Sequence, residues 1–179
     1  MTSRRLAPIV VGLLMLVACD PEPPNPPEGT IPAGNAVEAP LLPTYADTLP
    51  SMDPDTFERL LAQLEGTPVL VNFWGSWCPP CKEEMPRLVE AHQDFGDRVQ
   101  FLGVDILDDR EEARAFMEEY GMAFPSVFDI PDEIKTSLGQ FGQPTTVFFH
   151  ADGAFEFAYA GPIPDNVLHR HLENILGPS

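Results

Sequence analysis

The 179 residues are 44% apolar and carry a formal net charge of −18, with 28 acidic side chains against 10 basic ones. That is enough chain for one ordinary domain plus accessory segments. Binding phosphates takes clustered Lys and Arg, so a chain this acidic argues against nucleic acid as a partner, and anionic lipid headgroups repel it.

Arg4 and Arg5 form a positive n-region ahead of an apolar run from Leu6 to Ala18. The run is shorter than the roughly 20 residues a spanning helix needs and suits a signal peptide over residues 1–18. It closes Leu16-Val17-Ala18-Cys19, which resembles the lipobox of bacterial lipoproteins. The resemblance implies that Cys19 is acylated and anchors the mature chain on the outer side of the cytoplasmic membrane, in the periplasm or cell envelope. The alternative is an ordinary secretory signal with an incidental Cys19. Asp20 resembles the inner-membrane retention signal of some lipoproteins. Removing residues 1–18 takes away two arginines and no acid, which leaves −20.

From Asp20 to Thr48 the chain has five acids, no base and nine prolines counted through Pro50. Such a segment buries too little surface to offset its ordering entropy. Residues 19–48 are therefore expected to be a disordered acidic tether, extended where prolines cluster, reaching at most on the order of 90 Å at ~3.1 Å per residue.

The folded domain is expected over residues 49–179. Asp53-Pro54 reads as an N-cap and first helical residue, and Phe57, Leu60, Leu61 and Leu64 form one apolar face, with Gly66 after the helix. Pro68–Trp74 and Val99–Asp105 are short apolar runs of the kind found in strands buried on both faces. The spacing predicts helices from the cysteine pair to Phe95, over Asp109–Tyr120, over Asp132–Leu138 and over Pro164–Leu176. Phe124–Asp129 is a predicted strand, and Thr145–His150 and Ala154–Tyr159 form a predicted hairpin across Ala151-Asp152-Gly153. The order α-β-α-β-α-β-α-β-β-α implies a three-layer α/β fold, a central mixed sheet between helices.

Cys78 and Cys81 stand between a buried strand and a helix, as Trp77-Cys78-Pro79-Pro80-Cys81. Residues three apart on a first turn face the same way, so the two sulfurs can close a disulfide. Outside the cytoplasm, with no further cysteine for a structural framework, such a pair is redox-active. Cys78 lies where a helix N-terminus favours a thiolate and is the expected attacking sulfur, open to solvent; Cys81 is the expected resolving sulfur. The metal alternatives are a zinc half-site or a copper site. Zinc requires further ligands, whereas His92, His150, His169 and His171 are scattered over different elements and read as surface residues, so no metal or other cofactor is expected.

The run VNFWGSWCPPCKEEMP, Val71 to Pro86, resembles the active-site signature of the thioredoxin superfamily, and more narrowly the membrane-tethered TlpA/ResA/CcmG reductases of cytochrome c maturation. Gly142-Gln143-Pro144-Thr145-Thr146 resembles the family's cis-proline loop, and the stretch between Val104 and Pro144 resembles the group's central αβ insert. The resemblance implies that Pro144 is cis and packs beside the cysteines. It also implies that Trp77, Pro79, Gln143, Pro144 and Thr145 contact substrate. The alternative for Pro144 is an ordinary trans turn proline. Thioredoxin carries a buried acid in the strand before its cysteines; this chain has Asn72 there, so another acid must take the Cys81 proton or water must enter. Glu84 matches an acid of the CcmG-like motif and is the candidate, with a solvated helix-start glutamate as the alternative.

The function so implied is extracytoplasmic thiol–disulfide exchange. Cys78 attacks a protein disulfide and Cys81 resolves the intermediate, with apocytochrome c as substrate and a membrane thiol donor as reductant by resemblance. Pro79 and Pro80 supply no N–H to a Cys78 thiolate, which points to a reductase. An oxidant or isomerase of the same fold and a copper metallochaperone using both thiols are the alternatives. A peroxidase is disfavoured, because the C-x-x-C is present and a peroxidatic motif is missing.

Overall fold

A computed structural model describes residues 39–44 and 48–177. The expected signal peptide 1–18, Cys19 and the tether through residue 38 lie outside the described residues.

Strand β1 (Val69–Trp74) is buried at every position, with helices on both of its faces. Helix α1 (Pro54–Gln63) precedes it, N-capped by Asp53, whose side chain accepts from Thr56 N at 2.8 Å. Helix α2 (Pro79–Phe95), strand β2 (Gln100–Ile106) and helix α3 (Arg110–Tyr120) follow, α3 ending on Gly121 in the left-handed region. Strand β3 (Ser126–Asp129), helix α4 (Glu133–Ser137), strands β4 (Thr145–Phe149) and β5 (Phe155–Ala160), and helix α5 (Asp165–Leu176) complete the expected order. The sheet runs β3-β2-β1-β4-β5; β1, β2 and β3 are parallel, and β4 is antiparallel to β1 and to β5. This is the thioredoxin-like layering, with α2, α3 and α5 on one face and α1 and α4 on the other.

Two strands start later than their apolar runs, each time because a proline lacks the N–H a ladder needs. Pro68 and Pro125 offer only their carbonyls, to Gln100 N and Gly103 N, both at 2.9 Å. The domain also begins earlier than residue 49. Leu41 N donates to Gln63 Oε1 at 2.9 Å, Gln63 Nε2 donates to Ala39 O at 3.2 Å, and Leu41 and Leu42 pack on the α1 side of the core. The tether expected through residue 48 thus has an anchored end, because its two leucines find apolar surface on α1. Residues 50–52 then cover the outer edge of β3, with Phe128 N bonded to Pro50 O and Met52 N to Phe128 O.

One sheet position tolerates no side chain. A Cβ on Gly103 would lie 2.2 Å from Ser126 Oγ and 2.8 Å from Trp74 Nε1. Gly103→Ala is therefore expected to destabilise the domain by about 1–3 kcal/mol. Adding Ser126→Ala should recover part of that loss. Urea unfolding of the single and double variants measures both, and a Gly103→Ala protein as stable as wild type would show that β2 and β3 can move apart here.

Candidate active site

The loop that leaves β1 turns into α2 within four residues, which puts Cys78 at the N-cap. Pro79 and Pro80 follow and have no N–H, so the first amide of the helix belongs to Cys81. That amide approaches Cys78 Sγ at 3.3 Å and Cys78 O at 3.1 Å. The two cysteines are joined by a disulfide, with their Cα atoms 5.3 Å apart.

Cys81 is fully buried, but Cys78 is only 2% exposed, so the expectation of a solvent-open attacking sulfur does not hold. In the disulfide both sulfurs behave as small apolar groups and join the cluster that contains Trp74, Met85 and Ile163. The neighbours of Cys78 carry the exposure instead. Trp77 is 48% exposed, with its indole N–H 3.4 Å from Ile106 O, and Pro79 is exposed.

The peptide between Gln143 and Pro144 is cis. Thr145 faces Phe73 across the β1–β4 ladder, so Pro144 lies beyond the same sheet end from which the cysteine loop leaves. Pro144 is buried, its carbonyl accepts from Gly161 N at 2.8 Å, and Gln143 is half-buried. Thr145 is fully buried and its Oγ1 donates to Gly142 O at 3.1 Å, so its side chain is directed inward.

Glu84 is not a solvated helix-start residue. It is fully buried one turn past Cys81, and both carboxyl oxygens accept hydrogen bonds: Oε1 from Asn72 Nδ2 at 2.8 Å and Oε2 from Ile163 N at 2.9 Å. Burial pushes its pKa up to about 7, outweighing these two donors and nearby Arg87. Asn72 also donates to Thr146 Oγ1 at 3.1 Å. The amide at the strand position thus serves the acid on the helix.

Sequence reasoning missed two acids beside this loop. Asp105 is the next-to-last residue of β2, fully buried, with neither carboxyl oxygen hydrogen-bonded. Burial and then the neighbouring Asp108 carboxylate push its pKa up to about 9 against the pull of Arg110. Asp108 accepts from Ser76 N at 2.5 Å and from Ser76 Oγ at 2.8 Å, two residues before Cys78. A lone acid closing an apolar strand was the available signal for Asp105; Asp108 left none, since loop acids are common.

Two of the histidines expected at the surface are built into the domain. His171 pairs with Glu156 at 2.8 Å and stacks on Phe157 with centroids 3.9 Å apart. His92 packs edge-on to Phe101 and Phe124, and burial lowers its pKa. Among the described residues no group of three or more His, Cys, Asp or Glu is placed to hold a metal ion.

The family model described as the AhpC/TSA family matches residues 48–158. The thiol-disulfide oxidoreductase ResA of Geobacillus thermodenitrificans is 31% identical over 119 residues, covering 66% of this chain and 68% of that protein. The thiol:disulfide interchange protein DsbE of Escherichia coli is 29% identical over 127 residues, 70% of this chain and 67% of its own length. Among solved structures, a secreted Mycobacterium tuberculosis disulfide oxidoreductase homologous to E. coli DsbE aligns with a TM-score of 0.57 and 27% identity, over 62% of this chain and 84% of that one.

The raised pKa of Glu84 has a defined effect on stability. Between its ordinary value of 4.5 and its folded value of about 7, the folded protein holds a proton that the unfolded chain has released. Stability therefore falls as pH rises through this window, by at most about 1.4 kcal/mol per pH unit. Asp105 acts with the same sign over a wider range, so the comparison that isolates Glu84 is wild type against Glu84→Gln. The variant should show a flatter decline between pH 5 and 7.5 in urea unfolding. Equal slopes would mean that Glu84 titrates normally.

Proposed function

The chain belongs to the AhpC/TSA family of thioredoxin-fold proteins, and from that membership we propose that it reduces protein disulfides outside the cytoplasm through a mixed disulfide on Cys78 that Cys81 resolves. Thiol–disulfide oxidoreductase is the activity its relatives carry in their names and the activity of this enzyme. The observation that carries the rest is the cysteine pair at the start of α2, at the sheet end where the cis-proline loop enters β4, and one turn from a buried carboxyl group.

In the reduced enzyme the Cys78 thiolate attacks one sulfur of the target disulfide. A mixed disulfide forms and the other target sulfur leaves as a thiolate that takes up a proton from solvent. Cys81 then gives its proton to Glu84 and attacks Cys78 Sγ; the Cys78–Cys81 disulfide forms, and the second target sulfur leaves as a thiolate that takes up the proton Glu84 releases, so the target carries two thiols. Glu84 suits this step because a group near pKa 7 both accepts and returns a proton at neutral pH. The backbone ahead of Pro144, with Trp77 and Pro79 exposed opposite, supplies the edge on which the target segment docks as an added strand.

The helix terminus supports a reductase as the direction of electron flow. A strongly oxidising pair is one whose reduced, thiolate form is stabilised. Here two prolines take the place of two amides, and among the described residues only Cys81 N donates to Cys78 Sγ. The potential should lie nearer ~−270 mV than ~−120 mV. Apocytochrome c is the substrate we propose, and a membrane thiol protein the reductant that restores the dithiol. Acylated Cys19 and the acidic tether would hold the domain at the outer face of the cytoplasmic membrane, as the sequence of residues 1–38 suggests.

A trapping experiment tests the chemistry. Cys81→Ala should accumulate a mixed disulfide through Cys78 that mass spectrometry identifies, and Cys78→Ser should lose insulin reduction entirely. Equilibration with glutathione or dithiothreitol gives the potential, and a value near the oxidising end would make the enzyme an oxidant. Copper binding that needs both thiols, in a protein that reduces no disulfide, would make it a metallochaperone instead.

A further inference from the structure

Helix α4 carries a lysine where an interior would ordinarily exclude one. Lys135 is 4% exposed. Its Nζ is paired with Asp132 Oδ2 at 2.9 Å and donates to Gln143 Oε1 at 3.1 Å. Gln143 is the residue whose peptide bond to Pro144 is cis. Filling space alone needs no charge here, since an apolar side chain of similar length serves at least as well as a buried ion pair.

The chemistry of the contact decides the orientation of the amide. An ammonium group has only protons to offer, so the atom of Gln143 that faces it must be the oxygen. Nε2 is thereby turned away from Lys135, on a half-buried residue, and among the described residues nothing accepts its protons. The rest of the loop is braced against the same helix: Gln140 N donates to Lys135 O at 3.1 Å and Gly139 N to Thr136 O at 2.9 Å.

We infer that Lys135 is a positioning residue that fixes the Gln143 amide, and that Gln143 Nε2 donates to a hydrogen-bond acceptor on the protein segment carrying the target disulfide. The inference rests on the cis-proline loop being the docking edge. It assigns that edge a selectivity: segments offering an acceptor next to the target cysteine bind, and small disulfides gain nothing from it.

Three substitutions separate the roles. Lys135→Met removes the ammonium, Gln143→Met removes both amide atoms, and Gln143→Glu keeps an acceptor toward Lys135 while deleting the donor. Reduction of oxidised insulin is compared with reduction of dithiobis(nitrobenzoate), a small disulfide with no segment to dock. Each variant should lower the ratio of the two rates about three- to tenfold, the factor one ordinary hydrogen bond supplies. The Lys135→Met/Gln143→Met double variant should fall no further than Gln143→Met alone, and the reduction potential should not move.

A Gln143→Glu enzyme with the wild-type ratio overturns the inference. So do additive losses in the double variant. A shifted potential overturns it too, because Lys135 would then act on the thiolate. If Lys135→Met does not fold, the two Gln143 variants decide alone. A wild-type protein inactive on both disulfides overturns the oxidoreductase reading itself, whereas activity on both with an unchanged ratio overturns only this inference.

Discussion

The hydrogen bond from Asn72 Nδ2 to Glu84 Oε1 is the contact on which the site depends. Strand β1 is buried along its whole length, so a polar side chain on it must find its partners inside the protein. Asn72 carries the only side-chain amide in β1, and its Nδ2 reaches Glu84 on α2 and Thr146 on β4. Ile163, between β5 and α5, holds the other carboxyl oxygen. Four pieces of chain are therefore tied together through Asn72 and Glu84. Their meeting holds the first turn of α2, with both cysteines, over the end of β1.

Strand direction gathers the remaining groups around that turn. β1, β2 and β3 are parallel, so their carboxyl ends point the same way, and antiparallel β4 starts at that rim. Ligand sites of open α/β sheets form at such ends. From the end of β2 comes Asp108, clamping Ser76; after β3 come Asp132 and Lys135; ahead of β4 come Gln143 and Pro144. The αβ insert between Val104 and Pro144 thus does more than extend the sheet. Its short helix α4 reaches the loop that precedes the cis bond.

Much of this was legible in the sequence, because the signals were local. Asp53-Pro54 announces its helix as a cap and first residue, the apolar runs Pro68–Trp74 and Val99–Asp105 read as buried strands, and C-x-x-C between strand and helix carries its chemistry with it. What was illegible depended on burial, which periodicity does not report for isolated polar residues. Nothing local tells a buried Glu84 from a solvated one; the difference is made by Ile163, 79 residues away. Asp105 and Lys135 were passed over as ordinary members of their elements, and His171 as a surface residue, since their partners come from other parts of the chain. Leu41 and Leu42 were absorbed into a tether whose composition is otherwise that of a disordered segment.

In the proposed mechanism, an acid on the helix instead of the strand also governs how charge would travel during turnover. An interior of low dielectric tolerates one negative charge with donors around it far better than two close together. With Asn at position 72, the carboxyl group of Glu84 is the only acid in the Asn72–Thr146–Ile163 cluster. In the proposed cycle Cys81 gives its proton to Glu84, and the carboxylate would be neutralised as the thiolate appears, so one buried charge would change place and none would be added. The donors from Asn72 and Ile163 keep the pKa of Glu84 lower than burial alone would set it, which leaves the group able to return the proton. A second acid in place of Asn72 would bring two carboxyl groups together and force one to stay protonated through the whole cycle. The amide on β1 is therefore the residue that would let a fully buried glutamate play the proposed part of a reversible proton acceptor.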